Sequence, residues 1–429
     1  MKRIMKSIHQ KNHSSDTGYK QTEVGVIPED WDLDYIENLA HITTGGRNTQ
    51  DRVNDGQYPF FVRSQTVERI NSYSFDGEAV LTAGDGVGTG KVFHYIKGKF
   101  DAHQRVYRIS DFNERINGYF FYLYFSSHFY NRIMQMTAKS SVDSVRRDMI
   151  ARMLIPFPSS KAEQEAIAEA LSDADALIES LEHLIAKKRH LKQGAMQELL
   201  TGKKRLPGFI EKWETHTFGE MFDILRSASN PRSDLVEHGE IGYLHYGDIH
   251  THPSPFLDCS CQLRAFLAPG QSVGTPMMVD GDLVMVDASE DTIAIGKAVE
   301  IKSLNDRRAV AGLHTLLLRP KPEFFANGFK GYLQYFPSVR SSLVRSATGV
   351  SVYGVSKSSV KTIEVTIPKP DEQTAIAAIL SDMDAEIAAL EDKLAKARQI
   401  KQGMMQELLT GRIRLTGGAR GQGESGQTA

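Results

Sequence analysis

Apolar residues recur every three or four positions along one long stretch of the chain, residues 163–206. This spacing places them in a continuous stripe on one face of a helix, as in coiled coils and helical bundles. The stretch is also rich in Ala, Leu, Glu, Lys and Gln, which favour helix formation. At about 1.5 Å per residue, roughly 40 helical residues make a rod on the order of 60 Å long. The stripe consists of Ile167, Ala170, Leu171, Ala174, Leu177, Ile178, Leu181, Leu184, Ile185 and Leu191.

The same pattern returns near the end of the chain, in residues 372–415. The two repeats align without a gap, and about two residues in three are identical. A single amphipathic rod cannot bury its own apolar stripe, whereas two similar rods can bury each other's. The sequence therefore predicts two paired spacer helices. The residues expected at their pairing surface are Ile167, Leu171, Leu181 and Leu184 in the first helix and Ile376, Leu380, Leu390 and Leu394 in the second.

A segment of mixed, strand-rich character precedes each spacer helix. Before the first one, β-branched and aromatic runs separated by Gly, Asp and Asn predict short strands. An aromatic segment there predicts a helix over about residues 117–138. The predicted strands cover residues 58–62, 78–81, 91–95, 105–109 and 153–155.

The order of these elements starts again after the first spacer helix. Trp213 corresponds to Trp31, and Gly296-Lys297 corresponds to Gly90-Lys91. Asn327-Gly328 is expected to open a second helical segment, and residues 365–367 to form a strand before the second spacer helix. The chain is therefore predicted to contain two tandem copies of a globular region followed by a spacer helix.

This organisation predicts an α+β protein with two mixed α/β globular regions, two long coiled-coil helices and a pseudo-two-fold internal repeat. The terminal segments are polar or Gly-rich, and we expect them to be disordered. The predicted boundaries are a terminal extension 1–17, a first globular region 18–158, a first spacer helix 159–206, a second globular region 207–370, a second spacer helix 371–415 and a tail 416–429.

Composition narrows the possible environment of the protein. The formal net charge of −2 gives no global basic signature, so any nucleic-acid binding must use local patches. The only two cysteines, Cys259 and Cys261, do not make a disulfide framework and suit a reducing cytoplasm. The sequence shows neither the apolar core of a signal peptide nor the ~18 apolar residues of a membrane span. We therefore expect a cytoplasmic protein without a membrane partner.

Motifs for catalysis and for metal binding are weak. The glycine-rich run 84–90 resembles a phosphate-binding loop, but Lys91 is followed by Val92 instead of Ser or Thr, which favours a surface turn. We find neither an Asn-Pro-Pro-aromatic motif nor His-Glu-x-x-His, so no catalytic residue is predicted. A group of possible zinc ligands matches no familiar spacing, and ordinary loop residues are the favoured interpretation. This group comprises His245, His250, His252, Cys259 and Cys261.

Local charge points towards nucleic acid. Residues 41–155 contain 15 Lys and Arg against 11 Asp and Glu, and residues 337–363 contain four basic residues without an acidic one. Arginines mixed with amide side chains suit the edges of DNA bases. Taken singly, each of these residues is better explained by an ordinary solvated surface, so the argument depends on the whole set. The candidates are Arg47, Asn48, Arg63, Gln65, Lys91, His103, Gln104, Arg105, Lys139, Arg146 and Arg147 in the first globular region and His245, Tyr246, Lys297, His314, Arg345, Lys357 and Lys361 in the second.

Several motifs carry a resemblance to one family. They are Gly18-Tyr19-Lys20-Gln21-Thr22 with Gly25-Val26-Ile27-Pro28 before Trp31, the run 243–249, Ile155-Pro156 and Ile367-Pro368 before the Glu-Gln-x-x-Ile-Ala helices, and the Met-Gln-Glu-Leu-Leu-Thr-Gly sequence at 196–202 and again at 405–411. With these motifs, the whole chain apart from its two tails resembles the specificity subunit of bacterial type I restriction–modification enzymes.

The resemblance implies a division of labour. Each globular region would be a target recognition domain that reads one half of a bipartite, asymmetric site in double-stranded DNA. The spacer helices would pack antiparallel, hold the readers apart and dock two methyltransferase subunits, which bind S-adenosylmethionine and methylate adenine. Two motor-nuclease subunits, which use ATP and Mg, would complete the complex, and this chain itself would need no cofactor.

The family's recognition domains vary, so the residue roles predicted here come from the local side chains. Arg63, Gln65, Gln104 and Arg105 are expected to read bases in one half-site, while Lys357 and Lys361 contact phosphates in the other. The main alternative is a DNA methyltransferase or nuclease with its own active site, which the missing motifs disfavour. A purely structural coiled-coil scaffold is a weaker alternative, because a scaffold does not need two divergent globular regions.

Overall fold

The computed structural model of the chain describes residues 18–136, 144–271, 274–349 and 351–415. It divides into two compact units, one formed by the described residues of 1–182 and 393–429 and the other by 183–392. Each unit therefore contains one globular region together with part of each spacer helix. None of the helices in the described ranges combines the length and apolar character that a bilayer crossing needs.

The first globular region is built on a six-stranded sheet with the spatial order β4-β9-β7-β8-β5-β6. All neighbouring strands are antiparallel except the parallel pair of β8 and β5. Two further antiparallel pairs, β1 with β2 and β3 with β10, lie outside this sheet. The strands are β1 Tyr19–Thr22, β2 Gly25–Pro28, β3 Trp31–Tyr35, β4 His41–Thr44, β5 Tyr58–Phe61, β6 Glu68–Ile70, β7 Phe75–Ala83, β8 Phe93–Ala102, β9 Val106–Ser110 and β10 Leu154–Pro158.

The helices up to the middle of the chain are α1 Ile36–Leu39, α2 Gly118–Gln135, α3 Arg147–Ala151 and the long spacer helix α4 Lys161–Leu199. Asn117 caps α2, because its side chain accepts hydrogen bonds from the amides of Tyr119 and Phe120. The aromatic face of α2 buries Phe120, Phe125 and their neighbours against the sheet. The predicted strands and this helix are confirmed, although the end of the predicted helix lies outside the described residues.

The second globular region repeats the main sheet and adds another. Its five-stranded sheet has the order β12-β21-β17-β19-β15, and a four-stranded sheet has the order β13-β16-β14-β20. The strands are β11 Glu214–Thr217, β12 Phe222–Leu225, β13 Leu235–Val236, β14 Ile241–Leu244, β15 Phe256–Asp258, β16 Phe266–Leu267, β17 Leu283–Val286, β18 Ala288–Ser289, β19 Ala298–Lys302, β20 Arg308–Ala311, β21 Thr315–Pro320, β22 Tyr353–Gly354 and β23 Glu364–Ile367.

The two main sheets share one topology. In both, four neighbouring strand pairs run antiparallel, antiparallel, antiparallel and parallel from one edge. The order β4-β9-β7-β8-β5 thus corresponds to β12-β21-β17-β19-β15. The additional four-stranded sheet accounts for much of the greater length of the second region. The internal repeat predicted from sequence is confirmed at the level of the fold.

The helices of the second half are α5 Phe218–Met221, α6 Tyr246–Thr251, α7 Pro337–Ser346, α8 Lys357–Lys361 and the second spacer helix α9 Pro370–Leu408. The helical segment expected after Asn327-Gly328 is interrupted. A 3₁₀ helix, Lys330–Tyr335, precedes α7, and Pro337 separates them because proline lacks the amide that a continuous helix needs.

The spacer helices pair antiparallel inside each unit. In the first unit Lys401 forms an ion pair with Asp175, and Arg398 forms one with Glu182. Residue numbers therefore rise along one helix as they fall along the other, as in an antiparallel pair. In the second unit the equivalent pairs are Lys192 with Asp384 and Arg189 with Glu391. Exposed ion pairs of this kind contribute about 0–1 kcal/mol each, and their main effect is to fix the register.

The predicted pairing residues are buried to different degrees. Ile167, Leu171, Ile376, Leu380 and Leu390 are all at most 8% exposed, and Leu181 and Leu394 are half-buried. In contrast, Leu184 is 39% exposed. Pairing therefore leaves Leu184 partly exposed within its unit.

Both spacer helices are shorter than the repeated sequence. Each contains 39 residues and ends at Leu199 or Leu408, whereas the prediction extended the helices to residues 206 and 415. Gly202 and Gly411 lie in the turn that follows each helix, where their φ angles of 68° and 71° suit glycine. The paired leucines of the motif, 199–200 and 408–409, are buried in the cores of the second and first units.

In each unit, an arginine that follows one spacer helix binds a glutamate near the start of the other. Arg414 donates two hydrogen bonds to the buried carboxylate of Glu163 (2.6 and 2.7 Å) and two to Asp30 (both 2.8 Å). In the second unit Arg205 donates to Glu372 at 2.7 Å twice. The repeated Arg and Glu thus fasten the end of one spacer helix to the start of the other.

The glutamine after each of these glutamates locks the globular region to the helix. Gln164 donates to the carbonyls of Arg115 and Pro158, both at 2.8 Å, and accepts from the amide of Asn117 at 2.7 Å. Gln373 makes the equivalent bonds, for example to the carbonyl of Phe324. Both glutamines are fully buried, so the Glu-Gln motif connects each globular region to its spacer helix.

Candidate DNA interface

Four loops meet at one end of the first main sheet. They follow β4, β5 and β7 and connect β8 to β9, and hydrogen bonds tie them together. The amide of Arg47 donates to the carbonyl of Ala102 (3.1 Å), the amide of Gln104 to that of Arg47 (2.9 Å), and the amide of His103 to that of Phe61 (2.9 Å). The sheet therefore brings together residues that lie far apart in sequence.

An acidic residue joins two of the predicted arginines. Arg63 donates to one carboxylate oxygen of Asp85 at 2.8 Å, and Arg105 donates to the other. Burial opposes ionisation of Asp85, but these hydrogen bonds outweigh it and the pKa of Asp85 lies below its usual range. Asp85 is in the glycine-rich loop between β7 and β8, so the surface turn predicted there is confirmed.

Three further predicted residues of the four loops extend this group. Arg47 binds the fully buried carboxylate of Asp101 at 3.1 Å, which also accepts from two serines. Gln104 donates to the side chain of Asn48 at 2.8 Å. We call the resulting set the first polar cluster; it comprises Arg47, Asn48, Arg63, Asp85, Gln104 and Arg105.

Other candidates of the first region lie around this cluster. His103 is buried beneath it, and burial together with the charge of Arg63 lowers its pKa. Gln65 is exposed in the loop after β5. The amide of Val145 donates to the carbonyl of Gly84 at 2.7 Å, which places the exposed Arg146 and Arg147 just after that contact.

Of the last two candidates in this region, Lys91 makes a different contact. The ammonium of Lys91 lies 5.5 Å from the ring centroid of Tyr130, where cation–π attraction holds it. Lys139 lies outside the described residues.

The second main sheet carries a related arrangement at the same end. His314, just before β21, lies 3.7 Å from the carboxylate of Asp287, which follows β17. Burial raises the pKa of Asp287, and the positive charges of His314 and Lys357 offset only part of this effect. Lys357 also donates to the carbonyl of Leu225 at 3.1 Å, and its neighbour on α8, Lys361, is exposed.

Aromatic rings complete this second surface. The ring of Tyr246 lies 4.3 Å from His245, 5.7 Å from His250 and 5.5 Å from His314, measured between centroids. Burial lowers the pKa of His245, which favours its neutral form. We call the set of His245, Tyr246, His250, Asp287 and His314 the second polar cluster.

Two other candidates of the second region stand apart. Lys297 donates to the carbonyls of His250 (2.7 Å) and His252 (2.8 Å), so its ammonium fixes the backbone around these two histidines. Burial lowers the pKa of Lys297. Arg345 is exposed on α7 and donates to Ser342 at 3.2 Å.

The possible zinc ligands do not assemble. Among the described residues, no group of three or more His, Cys, Asp or Glu side chains could hold a metal ion. Cys259 is buried, and burial raises the pKa of its thiol to about 12, whereas Cys261 is exposed. His252 instead bonds the carbonyl of Phe256 at 2.7 Å.

The two clusters occupy matching places in the repeat. Ala83 pairs with Val106 in the first sheet as Val286 pairs with Thr315 in the second. Arg105 therefore corresponds to His314, and each faces a carboxylate that follows the neighbouring strand. Likewise, the amide of Val145 bonds Gly84 as that of Val355 bonds Asp287. Arg147 and Lys357, which begin α3 and α8, thus correspond as well.

Sequence reasoning missed both carboxylates. Asp85 lies in a glycine-rich run that only resembles a phosphate-binding loop, and Asp287 follows a buried strand without a recognisable motif. The usable signal is the position of each aspartate one or two residues after a strand of the repeat, since strand ends in one sheet place their loops together.

Comparisons with known proteins point to one family. The family model described as type I restriction modification DNA specificity domain matches residues 28–187 and 296–399. The EcoDI specificity subunit of Escherichia coli is 28% identical over 238 residues, and the match spans about half of each protein: 48% of this chain and 52% of that one. The MjaVIII specificity subunit of Methanocaldococcus jannaschii is 24% identical over 418 residues, 91% of this chain and 94% of that one.

A solved structure shares the fold. The crystal structure of the type I restriction–modification S subunit from M. genitalium aligns with a TM-score of 0.58 at 17% identity, covering 88% of this chain and 96% of that chain. This likeness confirms the predicted α+β architecture, and the family model confirms the resemblance found in the motifs. The chain belongs to the family of type I restriction–modification DNA specificity subunits.

Proposed function

We propose that this chain selects the DNA site at which a type I restriction–modification complex acts. The observation that carries the proposal is the matching position of the two polar clusters. They follow equivalent strands of the two main sheets, but their side chains differ. Each globular region reads one half of a bipartite site, and the different side chains give the halves different sequences.

The chemistry of the first cluster suits direct readout of bases. Arg63 and Arg105 present guanidinium groups of the kind that pair with guanine in the major groove, and Gln104 and Asn48 offer amides suited to adenine. Asp85 holds both guanidinium groups in place and thereby reduces the entropy lost on binding. Gln65 extends the same surface.

The second cluster reads with imidazole and phenol groups. His314, His245 and Tyr246 supply donors, acceptors and ring faces, with Asp287 beside His314. Because this set differs from the arginine-rich first cluster, we propose that the second half-site has a different sequence.

Lysines and arginines around the clusters contact phosphates. We expect Lys357→Ala to weaken binding to specific and unrelated DNA alike, because a phosphate contact carries no sequence information. The slope of log K against log salt concentration should fall by about one unit. The measurement is fluorescence anisotropy titration of duplex DNA over a series of salt concentrations.

Arg147, the equivalent residue in the first region, provides a second test of the phosphate contact. Arg147→Ala should lower the slope as Lys357→Ala does, whereas Lys297→Ala should not, because that ammonium is bound to two carbonyls. A slope that Lys357→Ala leaves unchanged contradicts the assignment of this residue to phosphate.

The spacer helices dock the partners and set the spacing. We propose that the paired helices bind two methyltransferase subunits and, through them, two motor-nuclease subunits. Sites on one face of B-DNA recur about every 34 Å, and helices on the order of 60 Å long are sufficient to span such an interval. The number of unread bases between the half-sites is then set by helix length. The chain itself needs neither an active site nor a cofactor for this role.

Charged residues in the helix pair should abolish docking. Leu390 is 8% exposed and Leu181 is half-buried. Leu181→Glu with Leu390→Glu therefore places unpaired carboxylates on the apolar face of each spacer helix. We expect this double variant to lose co-purification with the methyltransferase subunits. Affinity capture of the tagged chain from cells that express the whole system measures the effect.

A matched control lies one position away on each helix. Ser180 and Ala389 are exposed, so Ser180→Glu with Ala389→Glu adds the same charge outside the apolar face. The control pair should retain the methyltransferase subunits. Co-purification that survives Leu181→Glu with Leu390→Glu argues against docking on the paired helices.

A further inference from the structure

Two loops present unusually exposed aliphatic side chains. Among the described residues, three large hydrophobic side chains are more than four-fifths exposed: Val87 at 100%, Ile210 at 92% and Ile293 at 85%. Val87 and Ile293 occupy the same place in the repeat, three residues before Gly90-Lys91 and Gly296-Lys297. A single exposed aliphatic residue is ordinary, but its recurrence at one loop position in two divergent regions indicates a shared role.

The loop that carries Val87 is ordered and belongs to the first polar cluster. The hydroxyl and the amide of Thr89 donate to the carbonyl of Gly86 at 2.6 and 3.0 Å. A Cβ at Gly88 would lie 2.5 Å from the carbonyl oxygen of Arg63, so only glycine allows this close approach. The loop thus packs on the backbone of a proposed base-reading residue, and the fully exposed Val87 comes directly before this contact in the chain.

The loop that carries Ile293 is ordered by different bonds. The carboxylate of Asp291 accepts from the amides of Ile293 (2.8 Å) and Ala294 (2.7 Å). Arg340 donates to the carbonyls of Thr292 and Ile295. The loop starts beside the second polar cluster, where His250 bonds the carbonyl of Ala288 at 3.3 Å. Both aliphatic side chains are therefore held outward by structure.

A base edge offers one apolar partner for such a side chain. In the major groove, the 5-methyl group of thymine is the apolar group that distinguishes an A·T pair, and small aliphatic side chains contact it. We propose that Val87 and Ile293 each contact a thymine methyl group in the half-site read by their own region. This inference rests on the proposed function and adds the residues that recognise thymine.

Replacing thymine by uracil tests the contact, because it removes the methyl group alone. The complex of the full-length chain with its methyltransferase subunits is titrated with duplexes that carry single uracils across the recognised site. At one position of the first half-site, uracil should weaken binding of the unsubstituted complex about threefold to fivefold, as expected for one buried methyl group. Val87→Ala should weaken binding to the thymine duplex by a similar factor and remove the uracil effect. Ile293→Ala should do the same in the second half-site.

Exposed aliphatic residues away from the clusters serve as controls. Val26→Ala, at a side chain that is 53% exposed, and Ile210→Ala should keep the full sensitivity to uracil. A uracil effect that persists unchanged in Val87→Ala and Ile293→Ala, or the lack of any uracil-sensitive position, overturns the proposed contact. An unsubstituted complex that binds its site no better than scrambled DNA refutes the proposed function instead, so the two failures are distinguishable.

Discussion

Replacing both Arg63 and Arg105 by alanine is expected to eliminate recognition of one half-site while leaving general DNA binding largely intact. Each well-formed pairing of arginine with guanine contributes about 1–3 kcal/mol of discrimination, which corresponds to roughly 5–150-fold in affinity. The double variant also leaves the Asp85 carboxylate without its two partners, which adds repulsion towards DNA. Competition titrations with the cognate duplex and with duplexes scrambled in either half measure the loss.

The control removes the same number of positive charges elsewhere in the first region. Arg115 binds Asp34 at 2.7 Å and Arg152 is exposed; both lie outside the first polar cluster. Arg115→Ala with Arg152→Ala should reduce binding modestly and retain discrimination of both half-sites. If Arg63→Ala with Arg105→Ala reduces binding to cognate and scrambled duplexes by the same factor, the two arginines contact phosphate instead of bases.

Removing the arginine that binds Glu163 in the first unit is expected to cause a large loss of stability. Arg414→Met leaves Glu163, whose side chain is 3% exposed, without its partner. Breaking a buried ion pair in this way costs about 3–5 kcal/mol. For a unit of this size, that loss should lower the melting temperature of the first transition by on the order of 10 °C in differential scanning calorimetry.

Acid should weaken the other contact of Arg414, its ion pair with Asp30. The hydrogen bond from Arg414 lowers the pKa of Asp30 below its ordinary value. The stability contributed by Asp30 is therefore present above about pH 4, the usual carboxyl pKa, and is lost as the pH falls through the lower pKa of the folded state.

Two variants define the effect of Arg414. Arg412→Met removes a neighbouring arginine that is 65% exposed and 3.6 Å from Glu407, and should change stability by less than about 0.5 kcal/mol. Adding Glu163→Gln to Arg414→Met removes the buried charge and should recover part of the loss. A melting temperature that Arg414→Met leaves unchanged contradicts the structural role given to this arginine.

The fold was largely predictable because its signals are local. The spacer helices follow from apolar spacing and helix-forming composition, and the strands from β-branched runs between turn residues. The ends of the spacer helices were not predictable in the same way. Lys203, Lys204 and Arg205 are acceptable in a helix. The repeat continues past Leu199 because the residues after each helix form the Arg–Glu ion pair that occurs in both units.

The candidate DNA interface was predictable only in part. Composition selected Arg63, Gln104 and Arg105, which the sheet does bring close together. The partner Asp85 was missed because its contact with Arg105 depends on the pairing of β7 with β9, which no local pattern encodes. Lys297 was selected by its place in the repeat, but burial and two carbonyl acceptors decide its environment.

The central claim is that each globular region reads one half of a bipartite site. Its most direct test is methylome sequencing of a host that carries the complete system, before and after residues 18–158 are exchanged for the corresponding region of another family member. The unexchanged chain should direct methylation to a motif of two specified blocks separated by a fixed number of unspecified bases. The exchange should change one block and keep both the other block and the gap. A continuous motif, or an exchange that changes both blocks, would contradict the account.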